Sequence, residues 1–244
     1  IHGVSPMSVA AVEPANWAEA WVESKDDPYR FVVGVLGFLP AGAPNPDGRF
    51  QLEQWQDSFL RNFFTGPNSL PTDSPRHSIR AGHGVGKGML LAMLAVWFPL
   101  THYDSKCVIT ANSQDQLRDN NWSEIRKVHG LLPESLKNQL DVREERMMVK
   151  AFPEMAFVVR RTASRNNPEA LQGIHAEHVL YLIDEASGIP DIVFEVAQGS
   201  LSTHGAMAAM TSNPTRGSGY FYDTHHRLRN RWKCWTVNCE DVPR

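Results

Sequence analysis

Apolar and polar positions change rhythm along this chain, and the change separates two regions. In residues 16–24 ("NWAEAWVES") and 28–39 ("PYRFVVGVLGFL") apolar side chains recur at helical intervals. A Pro/Gly-rich loop without periodicity follows at 40–48 ("PAGAPNPDG"). The stretch 50–64 ("FQLEQWQDSFLRNFF") predicts an amphipathic helix with Leu52, Trp55, Phe59 and Phe63 on one face.

Beyond the breaker cluster 66–77 ("GPNSLPTDSPRH") strands and helices alternate. "SIRA" leads into a glycine loop, and Lys87 to Phe98 is apolar all round, as a helix packed on a sheet should be. "CVITA" (107–111) predicts a short buried strand, and 112–132 a helix with Asn112 and Ser113 as candidate caps. "MAFVVRRT" (155–162), "HVLYLIDEAS" (178–187) and "GAMAAMTSNP" (205–214) read as further strands, the last running into a turn. Strands separated by helices predict an α/β fold: a mostly parallel sheet with helices on both faces.

Composition narrows this picture. The 244 residues suffice for one large α/β domain or two small ones, and 42 % hydrophobic with 21 % charged residues fits a globular core. Lys and Arg total 24 against 27 Asp and Glu, so no overall positive field advertises a nucleic-acid partner; contact with DNA would need a local patch. Cys107, Cys234 and Cys239 are too few for a disulfide framework, which points to a reducing cytosol. Cys234 and Cys239 follow His225 and His226, but at a spacing that matches no standard zinc pattern. No signal peptide is expected near Ile1, and the apolar stretch Met89 to Leu100 is too short to span a bilayer, so no membrane association is expected.

Three stretches carry chemistry. "RAGHGVGKGML" (80–90) lies after a predicted strand and before a predicted helix, where backbone N–H groups and a helix N-terminus converge on phosphate oxygens. Gly82, Gly84 and Gly86 permit close approach, and Lys87 would reach the β- and γ-phosphates; His83, Val85 and Gly88 complete the nucleotide-binding loop. The loop departs twice from G-x-x-x-x-G-K-[ST]: Ala81 stands for the first glycine and Gly88 for the hydroxyl that normally meets Mg²⁺. "VLYLIDEAS" describes a buried strand delivering Asp184 and Glu185 to the carboxyl edge of the sheet, where ligand sites sit. Asp184 would hold Mg²⁺ through water, and Glu185 would orient or deprotonate an attacking water. At the end of the next strand, "TSNP" offers the Ser212 hydroxyl and the Asn213 amide as sensors of the γ-phosphate.

In that order and context these motifs resemble the ATPase domain of the large terminase subunit of tailed bacteriophages. The resemblance runs through "DPYRFVVGVLG", "EQWQDSFLRNF", "RAGHGVGKG", "VITANSQDQLRDNNWSEI", "RRTASRNNPEALQGIHAEH", "LIDEASGI" and "TSNPTRGSGYFYD". It implies a P-loop NTPase of the RecA/ASCE type with ATP and Mg²⁺ as cofactors, Lys87 as the phosphate-loop lysine, Asp184 and Glu185 as the Walker B pair, and Ser212 with Asn213 as the coupling motif. It implies Gln56, with Gln54 as the near alternative, as the glutamine that reads adenine. A catalytic arginine is also expected. The loop carries His83 instead, so Arg160, Arg161 and Arg165 are the basic candidates and Arg161 is preferred. By the same resemblance the partners are double-stranded DNA, a portal protein and a small terminase subunit. A homo-oligomeric ring assembled on the portal in the host cytoplasm is implied as well. The expected layout is one P-loop ATPase domain over 1–244, with an N-terminal lid-like segment (1–48), the ATPase core (49–214) and a C-terminal lid or linker (215–244). The nuclease domain of large subunits, and its activity, are not expected in this chain. Two rival readings remain: another helicase-like nucleic-acid-stimulated ATPase, and a nucleotide-binding module with weak hydrolysis.

Overall fold

Alternation along the central strands sorts the core into two layers, one on each face of a single sheet. On β6 (His178–Ile183), Leu180 and Leu182 face one layer while Val179, Tyr181 and Ile183 face the other. β7 (Ala206–Ser212) repeats this, Met207 and Ala209 opposing Ala206, Ala208 and Met210. A strand buried on both faces has no polar side, which is why these segments read as continuous apolar runs. The computed structural model describes residues 15–201 and 205–242.

The sheet has eight strands in the order β3-β4-β5-β2-β6-β7-β1-β8. β5 (Ala156–Thr162), β2 (Ser105–Ala111), β6, β7, β1 (Arg76–Ala81) and β8 (Lys233–Val237) run parallel, and β3 (Leu140–Val142) and β4 (Arg146–Val149) add an antiparallel hairpin at one edge. One face carries α4 (Lys87–Thr101), α5 (Trp122–Gly130), and the earlier α1 (Trp17–Val22), α2 (Pro28–Gly34) and α3 (Gln54–Arg61). The other carries α7 (Asp191–Leu201) and α8 (Tyr220–Thr224); the short α6 is Glu134–Lys137. α4 is buried from Leu90 to Leu100 on every side, as its uniform apolarity predicts.

Four expectations are modified. The C-terminal stretch is not only a lid or linker, because β8 pairs in parallel with β1 and so belongs to the sheet. Its signal is weak because it is an edge strand, half exposed through Lys233, Cys234, Trp235 and Thr236. The N-terminal helices pack on the core: Trp21 donates to Leu100 O and Trp97 to Ser24 O, both at 2.8 Å. Residues 1–14 of the proposed N-terminal lid lie outside the described residues. The helix expected over 50–64 is confined to Gln54–Arg61, started by a capping box between Glu53 and Gln56. The helix expected over 112–132 begins, after Ser113 caps Gln116 N–H at 3.1 Å, as a π-helical turn (Gln116–Asn121) and becomes α-helical only at Trp122.

Candidate functional site

The glycine loop connects β1 to α4 at the carboxyl edge of the sheet, the context its chemistry requires. Gly84 and Gly86 adopt φ of 73° and 84°, which an L side chain resists. Gly86 has a second constraint, since a Cβ there would stand 2.6 Å from Gln56 Nε2. That amide is part of a clamp from α3. Trp55 Nε1 donates to Val85 O at 2.9 Å and Gln56 Nε2 to Gly86 O at 3.0 Å, while Gln56 Oε1 accepts from Glu53 N–H at 3.0 Å. Gln56 is therefore buried, with both ends of its amide engaged by backbone, and Gln54 is exposed on the first turn of α3. The structure gives Gln56 a place holding the loop rather than one open to a base. Trp55, read from sequence as core, is a functional neighbour that only its indole N–H could have betrayed.

Lys87 folds back into the loop. Its Nζ donates to Gly82 O at 2.8 Å and Ala81 O at 3.2 Å, and makes a short hydrogen bond to Asn213 Oδ1. Burial lowers its pKa, opposed by the nearby Glu185 and Asp184 carboxylates. Asp184 follows β6 and is buried. Its carboxylate accepts from Thr211 Oγ1 (2.7 Å), Asn121 Nδ2 (2.8 Å), Glu185 N–H (3.0 Å) and Gln116 Nε2 (3.4 Å). Thr211, Asn121 and Gln116 carried no sequence signal of their own. Glu185 sits in the left-handed region at φ 49°, a strained backbone of the kind held at functional sites. Its carboxyl pKa is raised, first by burial and then by Asp184, with Lys87 and His83 pulling it down. A base poised higher than an ordinary carboxylate suits proton abstraction near neutral pH.

The coupling pair is tied to the same segment. Ser187 donates its backbone N–H to Ser212 Oγ at 3.1 Å; the two hydroxyls lie 2.7 Å apart, and Ser187 Oγ donates to Asn213 O at 3.0 Å. Ser212 and Asn213 are both buried. A cleft of about 680 Å³ joins the loop from His83 to Met89 with Gln116, Asp119, Asn121, Glu124, Lys127, Asp184 and Glu185. His83 is exposed at its mouth. Gly88 lines it too, and a Cβ added there would meet only Glu124 Cγ at 3.6 Å, an ordinary contact, so the missing hydroxyl leaves room.

The arginines do not join this cleft. Arg161 donates to Gln172 O at 2.8 Å and Ala170 O at 3.4 Å, holding the turn Pro168–Leu171. The preference for it as a catalytic group is thus not matched by its place, because β5 lies beyond β2 from the loop. Arg160 is buried and stands 3.6 Å and 3.8 Å from the Glu144 and Glu145 carboxylates, and Arg165 lines a separate depression with Arg216 and Ser187.

A hydrated Mg²⁺ demands hard oxygen atoms, few of them from protein. Asp184 offers a carboxylate, and beside it Asn121 Oδ1 is a buried acceptor without a partner among the described residues, so the donor set fits such an ion.

No protein-family model matches the chain. A probable terminase large subunit of Enterobacteria phage P7 is 32 % identical over 166 residues, covering 67 % of this chain and 34 % of that protein, so the chain spans about a third of its relative's length. Among solved structures, the large terminase ATPase domain of Thermus phage P74-26 superposes with a TM-score of 0.56 at 18 % identity, covering 77 % of this chain and 81 % of that one. The HK97 bacteriophage large terminase gives 0.56 at 15 % identity over 87 % of this chain and 43 % of the other. At these identities the structures speak for the fold, which is that of the P-loop ATPase domain.

Proposed function

We propose, for a chain that belongs to the family of large-terminase ATPase domains, that it is the ATP-hydrolysing motor that drives double-stranded DNA into a procapsid. The observation that carries this is the meeting of the glycine loop and the Asp184–Glu185 pair around one cleft at the carboxyl edge of the sheet, with Asn213 and Ser212 buried behind it and bonded to Lys87 and Ser187.

Each residue then has a task. Backbone N–H groups of residues 82–88 cradle the phosphates, and Lys87 leaves Ala81 O, Gly82 O and Asn213 to meet them. Asp184 would hold Mg²⁺, which when bound neutralises phosphate charge. Glu185 takes the proton of the attacking water. Because Lys87 bonds Asn213, and Ser212 bonds Ser187 two residues from Glu185, loading the loop frees Asn213 and passes the change to the acid segment. The portal protein, a small terminase subunit and neighbouring copies in a ring in the host cytoplasm complete this reading, a neighbour supplying the arginine that the described residues do not bring to this cleft. No helix among the described residues is long and apolar enough to cross a membrane.

The test is ATP turnover with and without double-stranded DNA and portal. Slow hydrolysis by the chain alone, stimulated by those partners, is expected; Lys87→Ala should abolish it. Glu185→Gln should leave nucleotide binding nearly intact and slow turnover by roughly 10²- to 10⁴-fold. Hydrolysis unchanged in both variants overturns the assignment. Plasmid incubated with the chain and Mg²⁺ or Mn²⁺ should stay uncut.

The absence of a hydroxyl at Gly88 favours one other reading, a module that binds nucleotide and turns it over too slowly to drive a motor. Tight binding without partner-stimulated hydrolysis would select it.

A further inference from the structure

The π-helical turn Gln116–Asn121 aims two amides at one carboxylate oxygen: Gln116 Nε2 and Asn121 Nδ2 both donate to Asp184 Oδ2, at 3.4 Å and 2.8 Å. A π-helix repeats over i→i+5, so residues five apart share a face that an α-helix would split, and such turns recur at functional sites. The two amides end differently. Gln116 Oε1 accepts from Asn120 Nδ2 at 2.7 Å, whereas Asn121 Oδ1 has no donor among the described residues although Asn121 is only 1 % exposed. A buried amide oxygen without a donor is a net cost, and it calls for a partner outside the protein.

The cleft supplies the context. Asn121 lines it together with Lys87, Asp184 and Gly88. Gly88 removes the neutral oxygen that phosphate loops ordinarily direct at Mg²⁺. The side of Gly88 left open faces Glu124 of α5, which follows directly on the π-turn. Glu124 itself is committed, its carboxylate 2.6 Å from Lys127 Nζ. An amide oxygen is uncharged, like the hydroxyl it would replace, so the charge of the site stays as Asp184 sets it. The bond from Nδ2 to Asp184 fixes the amide and turns Oδ1 away from that carboxylate.

We infer that Asn121 Oδ1 supplies, from the π-turn, the oxygen for the hydrated Mg²⁺ of the nucleotide that Gly88 does not. This rests on reading the cleft as a site for Mg²⁺ and nucleotide.

The test separates metal from nucleotide. A fluorescent ATP analogue is titrated in EDTA and at saturating Mg²⁺, and Mn²⁺ affinity of the nucleotide-loaded chain is read by electron paramagnetic resonance. Asn121→Ala should lower Mn²⁺ affinity roughly tenfold, the lower reach of groups that support a metal site, and leave metal-free nucleotide affinity unchanged. Adding Gly88→Ser to that variant should restore it. Thermal unfolding reports whether Asn121→Ala folds; where it does not, Asn121→Ser, which stays polar but withdraws the amide oxygen, should lower Mn²⁺ affinity in the same way. The inference is overturned by unchanged Mn²⁺ affinity in a folded Asn121→Ala or Asn121→Ser, or by an equal loss of metal-free nucleotide binding. A parent chain that binds nucleotide no better with metal than without overturns the underlying reading of the cleft.

Discussion

Glu185 concentrates at one residue the conflict between folding and function. It holds a non-glycine left-handed backbone at φ 49° while its carboxyl is half buried beside Asp184. That conformation costs about 1 kcal/mol or more for an L residue. Glu185→Gly should raise the unfolding free energy by about that amount, as urea titration reads it, while abolishing hydrolysis. Gly86 and Gly88 differ in the same physical terms. Gly86→Ala brings a methyl group into the left-handed region and within 2.6 Å of the doubly bonded Gln56 amide, so it should weaken nucleotide binding at least tenfold and lower Tm. Gly88→Ser meets only Glu124 at 3.6 Å in a helical first turn; it should leave the unfolding free energy unchanged or raise it by about a few tenths of a kcal/mol, and sharpen the Mg²⁺ dependence of turnover.

At the scale of elements, α3 is a clamp. Two adjacent side chains of one helix hold the last two carbonyls before Lys87; losing Trp55 leaves Val85 O without this donor, and losing Gln56 leaves the Glu53 N–H without its acceptor, while Gly86 O still accepts from Leu90 N–H at 3.1 Å. Removing one partner of such a bond costs about 1–3 kcal/mol. Gln56→Ala should therefore reduce affinity for ATP and GTP by the same factor, roughly ten or more, in equilibrium binding. A selective loss of ATP binding would instead support the adenine-reading role that the family resemblance implies.

Across the whole molecule, His77 joins three parts that are distant in sequence. It lies on β1, donates from Nε2 to Phe63 O (2.7 Å) just beyond α3, and accepts at Nδ1 from Trp235 Nε1 (3.0 Å) on β8. Burial pushes its pKa down to about 4. The unfolded chain, with an ordinary imidazole near 6.5, therefore takes up a proton that the folded one refuses between pH 6.5 and about 4. Stability is full above pH 6.5 and falls on acidification, by at most about 1.4 kcal/mol per pH unit from this group. His102 and His225, lowered to about 3 and about 4 by burial, act in the same direction. Urea midpoints measured from pH 7 to 5 should show the decline. His77→Phe should flatten its share of the slope while starting lower at pH 7, because Phe63 O and the Trp235 N–H lose their partner.

How much was legible from the chain follows from what each signal depends on. The parallel core strands, the apolar α4 and the positions of Lys87, Asp184 and Asn213 were readable because burial on both faces and a strand–loop–helix junction leave local marks in sequence. The edge elements were not: β8, β3 and β4 are short or half exposed, so partnership in the sheet, not hydrophobic period, makes them strands. Arg161 and Gln56 show the other limit. Their residue types and motif positions allow several roles, and only the carbonyls that tertiary packing brings beside them decide which one each has in this structure. Asn121 needed the fold most. Sequence determines that an amide stands there, but the π-turn alone sets one end of it on Asp184 and leaves its oxygen free, because five-residue spacing becomes a shared face only in that geometry.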